Sequence, residues 1–203
     1  MTKKVVIFGA NGFVGGEFAK QFVDKGDEVI SISRTGEPLG NEAWYDKVDW
    51  KVGNALSTGF WTNYLKDVDV VIDTIGEYQE NNNENLTFEK VNYQSAANIA
   101  DAVEKNQVPV MAYISADDIP GANRRYISTK RDAEEELKQR KFRTVIARPA
   151  YMTTADDVVD STKEHHSLPV NMVVSAVIDA VENAKENTTL SVDDIDKFNN
   201  VKA

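Results

Sequence analysis

A short apolar run, Val5-Val6-Ile7-Phe8, breaks into glycines at every third position, Gly9, Gly12 and Gly15. Few local patterns constrain a fold more tightly. Gly9 permits a sharp turn off a strand, Gly12 lets backbone N–H groups approach an anion closely, and Gly15 lets the following segment pack against the turn. The segment from Asn11 to Lys25 carries Val14, Phe18 and Phe22 four residues apart, with Ala19 and Val23 beside them, which predicts a helix with one core-facing stripe. Strand, glycine turn and helix N-terminus together form a dinucleotide pyrophosphate site, because the unpaired N–H groups of the first helical turn face the phosphates. The spacing is G-x-x-G-x-x-G rather than G-x-G-x-x-G, so the fingerprint is met in a variant form.

The rest of the chain continues the alternation. Strands are predicted at 28–33, 48–52, 68–72, 108–115 and 144–148, the last ended by Pro149, with a short final strand at 189–192. Helices are predicted at 58–66, 88–105, 125–140 and 172–185, and the Asn- and Glu-rich stretch 77–85 is read as loop. This order predicts an α/β, doubly wound, Rossmann-type sheet, mostly parallel, with helices on both faces. The 203 residues make a single domain, 1–203, with a short substrate-side segment at about 150–203.

Thirty-three acidic residues against 23 basic leave a net charge of −10, which opposes binding to nucleic acid or anionic membranes. No apolar run is long enough to span a bilayer, and a cytoplasmic protein, monomer or homodimer, acting on an unidentified small molecule is expected. The absence of cysteine excludes thiolate nucleophiles and disulfides. The adjacent pair His165-His166 has no spaced Cys or His partner and reads as turn, so no metal is expected.

A second constellation is Tyr126-Ile127-Ser128-Thr129-Lys130, in which Tyr126 and Lys130 share one helix face. An ammonium beside a phenol lowers the phenol pKa and prepares it for proton exchange with an alcohol or carbonyl. At the end of the second predicted strand, where an acidic residue would hold the ribose of NAD, stand Ser33, Arg34 and Thr35. A guanidinium suits a 2′-phosphate, so NADP(H) is preferred over NAD(H). By resemblance to known dinucleotide-binding proteins, Asn54 stands where adenine is hydrogen-bonded and Thr74-Ile75-Gly76 where the fourth strand lines the cofactor.

Taken together, these segments resemble the short-chain dehydrogenase/reductase superfamily in its extended or atypical branch. Val91 to Ile99 looks like its central helix, Val110 to Ser115 like its fifth strand, and Arg148-Pro149 like the pair that follows its sixth. More narrowly, Tyr113 to Asp117 and Tyr126 to Glu134 are similar to the branch holding epimerase/dehydratase-like proteins, the nucleotide-binding accessory subunit of respiratory complex I and a fungal coenzyme Q biosynthesis protein. The resemblance implies cofactor contacts from Gly9, Asn11, Gly12, Phe13, Val14 and Gly15, and from Asn92, Lys130 and Pro149. It implies a catalytic set of Tyr126 as acid/base, Lys130 and a hydroxyl on Ser115, although the required position falls on either Ser115 or Ala116. Two functions follow: an NADP-dependent oxidoreductase on a small carbonyl, alcohol or quinone-like substrate, or a non-catalytic NADP(H)-binding regulatory or scaffold protein.

Overall fold

The computed structural model describes residues 2–119, 121–154 and 167–202, so His165 and His166 lie outside the described residues. Strands β1 (Lys4–Phe8), β2 (Glu28–Ser33), β3 (Val48–Val52), β4 (Val70–Asp73), β5 (Val110–Ile114), β6 (Arg143–Ala147) and β9 (Thr188–Leu190) form one parallel sheet in the order β3-β2-β1-β4-β5-β6-β9. β7 (Tyr151–Thr153) and β8 (Ser167–Pro169) pair separately, also in parallel. The chain winds outward from β1 to β3 and then crosses to β4, on the other side of β1. That reversal opens a crevice above the carboxyl ends of β1 and β4, where ligands of such sheets bind.

Side-chain alternation along each strand feeds two cores. Val5 and Ile7 of β1 pack with Phe18 and Phe22 of α1 (Phe13–Asp24) and with Val174 and Val177 of α4 (Val170–Asn183). Val6 and Phe8 pack on the opposite face with Trp61 and with helices α2 (Ser95–Lys105) and α3 (Arg124–Lys138). Burying Phe18 and Phe22 completely contributes roughly 1.5 to 3 kcal/mol each. α1 stops at Gly26, whose φ of +82° admits the left-handed conformation that ends a helix.

Helices on both faces of a parallel sheet bear out the expected fold class. The element boundaries differ in instructive ways. The predicted helix 58–66 is a 3₁₀ segment, Phe60–Leu65, and the predicted helix 88–105 begins as a π-helical turn, Glu89–Gln94, before α2. The loop 77–85 carries a 3₁₀ turn, Asn82–Glu84, closed by a bridge between Asn81 and Leu86. The strand pair β7–β8 and the helix α5 (Val192–Lys202) were not anticipated; α5 is mostly polar and is held by Ile195, packed against Val173 and Ala176 of α4. Within 150–203, α4 and β9 thus build the sheet layer itself. Among the described residues no helix is long and apolar enough to cross a membrane.

Candidate functional site: a switch-point cavity with a buried lysine behind it

Above the switch point lies a cavity of about 340 Å³, floored by Gly9, Gly12, Thr74 and Gly76 and walled by Ser33, Arg34, Thr35, Asn54, Leu86 and Val91. The volume is within the range of small-ligand sites. Its geometry begins with the glycines. Gly9 turns with φ +91°, and its N–H donates to Ile32 O at 3.0 Å. A Cβ on Gly15 would stand 2.6 Å from the Gly9 carbonyl carbon and closer still to its oxygen, so this glycine serves packing within the protein. Gly12 differs: a Cβ there would meet only Gly9 O, at 3.3 Å. Gly12 is also the N-cap of α1 and supplies no side-chain cap to the first helical N–H groups.

The walls come from the ends of neighbouring strands. Asn11 Nδ2 donates to Thr35 Oγ1 at 2.8 Å, tying the glycine loop to the β2 loop. Ser33 accepts from Gly36 N–H at 2.9 Å and donates to Gly36 O at 3.0 Å, so its hydroxyl shapes the turn that carries the exposed Arg34. Asn54 accepts from Leu56 N–H, and Thr74 Oγ1 donates to Phe8 O at 2.7 Å. Asn92 is fully buried; it accepts from Glu77 N–H and donates to Glu77 O, fixing the start of the 77–86 loop. Val91, which lines the cavity, and Asn92, which holds Glu77, both lie in the π-helical turn, and such turns recur at functional sites.

Not every residue singled out in the sequence lines this space. Phe13 borders a second opening on the far side of Asn11 and Gly12, beside Lys20 and Trp44. Val14 packs on the core, and Pro149 is buried, its carbonyl accepting from Asp117 N–H. Lys130, 2% exposed, stands behind the cavity floor: its ammonium donates to Ile114 O at 2.9 Å and Ile75 O at 3.3 Å and lies 4.7 Å from the centre of the Tyr113 ring. A Cβ on Gly76 would come within 2.7 Å of it. Burial lowers the Lys130 pKa to about 8, against the charges of Asp73 and Glu134 that raise it.

Tyr126 is half-buried, its ring edge-on to Phe88 at 5.8 Å. The expected lowering of the Tyr126 pKa by Lys130 is not found: burial raises it, with Arg131 rather than Lys130 pulling the other way. Met111 and Tyr113 face α2 and α3, and Ser115 continues that alternation just past β5: its hydroxyl donates to Glu134 Oε1 at 2.5 Å. Glu134 also accepts from Arg131 and, through both carboxylate oxygens, from Arg148. The Ser115 hydroxyl is therefore committed to a buried ion cluster joining α3 to the end of β6. Sequence reasoning did not single out Asp73, Glu134, Leu86 or Val91 for the site. The available signals were a carboxylate closing the apolar run Val70–Ile72, and Arg131 three residues before Glu134.

The comparison with known sequences agrees with this geometry. The profile of an NAD(P)H-binding family matches residues 9–184. The chain belongs to that family. It is 31% identical over 157 residues to an uncharacterized chloroplastic protein of Arabidopsis thaliana, covering 74% of this chain and 51% of that protein, so it spans about half that relative's length. It is 28% identical to MIOREX complex component 2 of Saccharomyces cerevisiae, covering 75% and 73% of the two chains. Among solved structures, UDP-glucose 4-epimerase from Brucella ovis in complex with NAD superposes with a TM-score of 0.75 at 15% identity, over 94% of this chain and 77% of that one. A likeness at that identity is one of fold. The NAD(P)H-binding family assignment and the Rossmann fold shared with solved epimerase structures agree.

Proposed function

We propose that the chain binds NADP(H) at the switch-point cavity and reduces a small carbonyl or quinone-like substrate, with Tyr126 as proton donor. Gly12 carries the reading. Its missing side chain relieves no packing clash comparable to that at Gly15, and it sits where uncapped helical N–H groups meet open space. Gly9, Asn11, Gly12 and Gly15 would hold the pyrophosphate, Asn54 the adenine, and Thr74 to Gly76 the nicotinamide half. Arg34, exposed beside Thr35 with no acidic residue at the strand end, supports a 2′-phosphate and so NADP(H) over NAD(H). The bound cofactor would supply hydride.

What this chain adds is a proton and a charge. Tyr126, its pKa raised by burial, is a neutral phenol at physiological pH and can give its proton to a developing alkoxide, which favours the reductive direction. Lys130 would act from behind Gly76 on the nicotinamide ribose. The bond from Ser115 to Glu134 engages the hydroxyl that would polarise a substrate carbonyl. That same bond favours a second reading, a cofactor-binding scaffold without turnover, and a relative named as a component of a complex accords with it.

Tyr126→Phe separates the two readings. NADPH affinity, followed by fluorescence titration, should stay within about twofold of the parent, while oxidation of NADPH by a panel of carbonyl and quinone acceptors falls at least about 100-fold. A parent that binds NADPH yet oxidises it with no acceptor leaves the scaffold reading standing.

A further inference from the structure

Asp73 closes β4 beside Tyr113 of β5, and neither is exposed to solvent. Its Oδ1 accepts from Ile75 N–H at 2.9 Å, whereas its Oδ2 is buried without a hydrogen-bond partner. The carbonyl of the same residue, Ile75, accepts from Lys130. One carboxylate therefore holds the turn that receives the ammonium, and both groups are buried, where attraction between charges is weakly screened. We propose that Asp73 is the positioning residue for Lys130, a buried counter-charge that keeps the ammonium protonated under the 74–76 floor and thereby links cofactor affinity to pH.

The other titratable groups facing this pair are Tyr113 from β5 and Tyr126, Arg131 and Glu134 from α3; Asn92 on the π-helical turn is neutral. Glu134 is already paired with Arg131 and Arg148, which leaves Asp73 as the carboxylate not otherwise paired with a cation. Burial raises the Asp73 pKa to about 6, so at neutral pH it is mainly ionised, while Lys130 loses its proton near pH 8. Removing the Asp73 charge lowers the Lys130 pKa further. Cofactor affinity is then lost at a lower pH as pH rises, and is unchanged in acid, where Lys130 is charged in both proteins.

The link to affinity rests on the NADP(H) reading above, and two measurements keep them distinct. NADPH titration of the parent and of Asp73→Asn should give equal affinity at about pH 5.5 and an alkaline midpoint about 1 pH unit lower in the variant, so that near pH 8 it binds about fivefold more weakly. Superimposable profiles, or a uniform loss at every pH, overturn the proposal. In the cofactor-free parent, the ¹³C shift of Lys130 Cε, assigned with Lys130→Met, should titrate in two steps, its own near pH 8 and a smaller one near pH 6 from Asp73. A single step overturns the pairing whether or not Asp73→Asn folds. A parent that shows both steps but binds no NADPH overturns the cofactor reading and the link to affinity, leaving only the pairing.

Discussion

Gly12 and Gly15 are three residues apart in one loop, yet a side chain at each would meet different obstacles. At Gly15 the obstacle is the protein's own Gly9 carbonyl and Thr74 hydroxyl, so Gly15→Ala forces the loop off the end of β4. We expect it to cost about 2 kcal/mol of stability, in the range of overpacked sites, read as a lowered midpoint in urea denaturation. At Gly12 a Cβ would meet only Gly9 O, at 3.3 Å, which a shift of a few tenths of an ångström relieves, so a methyl there should cost less stability than at Gly15. The packing role of Gly15 was legible in the glycine spacing alone. The environment of Lys130 was not: helical spacing put it on the face of Tyr126, but the ammonium went to the carbonyls of Ile75 and Ile114, which come from two strands distant in sequence. Spacing reports which face a side chain occupies, and only the assembled sheet reports which acceptors wait there.

At the scale of elements, α3 is bound to the end of β6 by Glu134, which is inaccessible to solvent and engaged by Ser115, Arg131 and Arg148. Burial alone would raise the Glu134 pKa, but hydrogen bonds from Arg148 and Ser115 and the charge of Arg131 outweigh it and hold the carboxyl below its ordinary value. A depressed carboxylate contributes stability that is present above its unfolded pKa and lost as pH falls through the folded one. Glu134→Gln should therefore cost about 3 kcal/mol near neutrality, because two guanidinium groups lose a buried partner. The gap between parent and variant should close as the pH is lowered below about 4, and urea denaturation at several pH values reads it. Strands and long helices were readable from periodicity because burial dictates it. The π-helical turn at Glu89–Gln94 was not, since its residues follow the same apolar stripe as an α-helix and depart from it only in hydrogen-bond register. The pair β7–β8 is three residues a side, too short for alternation to register.

The whole molecule is organised around one reversal of strand order, and the cavity lies where that reversal leaves β1 and β4 side by side at the centre of the sheet. The sequence carried this far because strand, turn and helix alternate in order, and because buried parallel strands read as apolar runs. Its limit was the region after β6, where α4 and β9 complete the sheet layer and α5 covers α4, an arrangement that a residue count alone does not reveal. The proposal that unifies the molecule is a phosphorylated dinucleotide bound in this cavity, with Arg34 at the end of β2 selecting the 2′-phosphate. Calorimetric titration of NADPH and NADH into the parent and into Arg34→Asp tests this most directly. A charge-assisted hydrogen bond of roughly 1.5 to 3 kcal/mol predicts that the parent binds NADPH at least about tenfold more tightly than NADH, and that the variant reverses the order. Equal affinity of the parent for the two cofactors, or no saturable binding of either, would contradict the account.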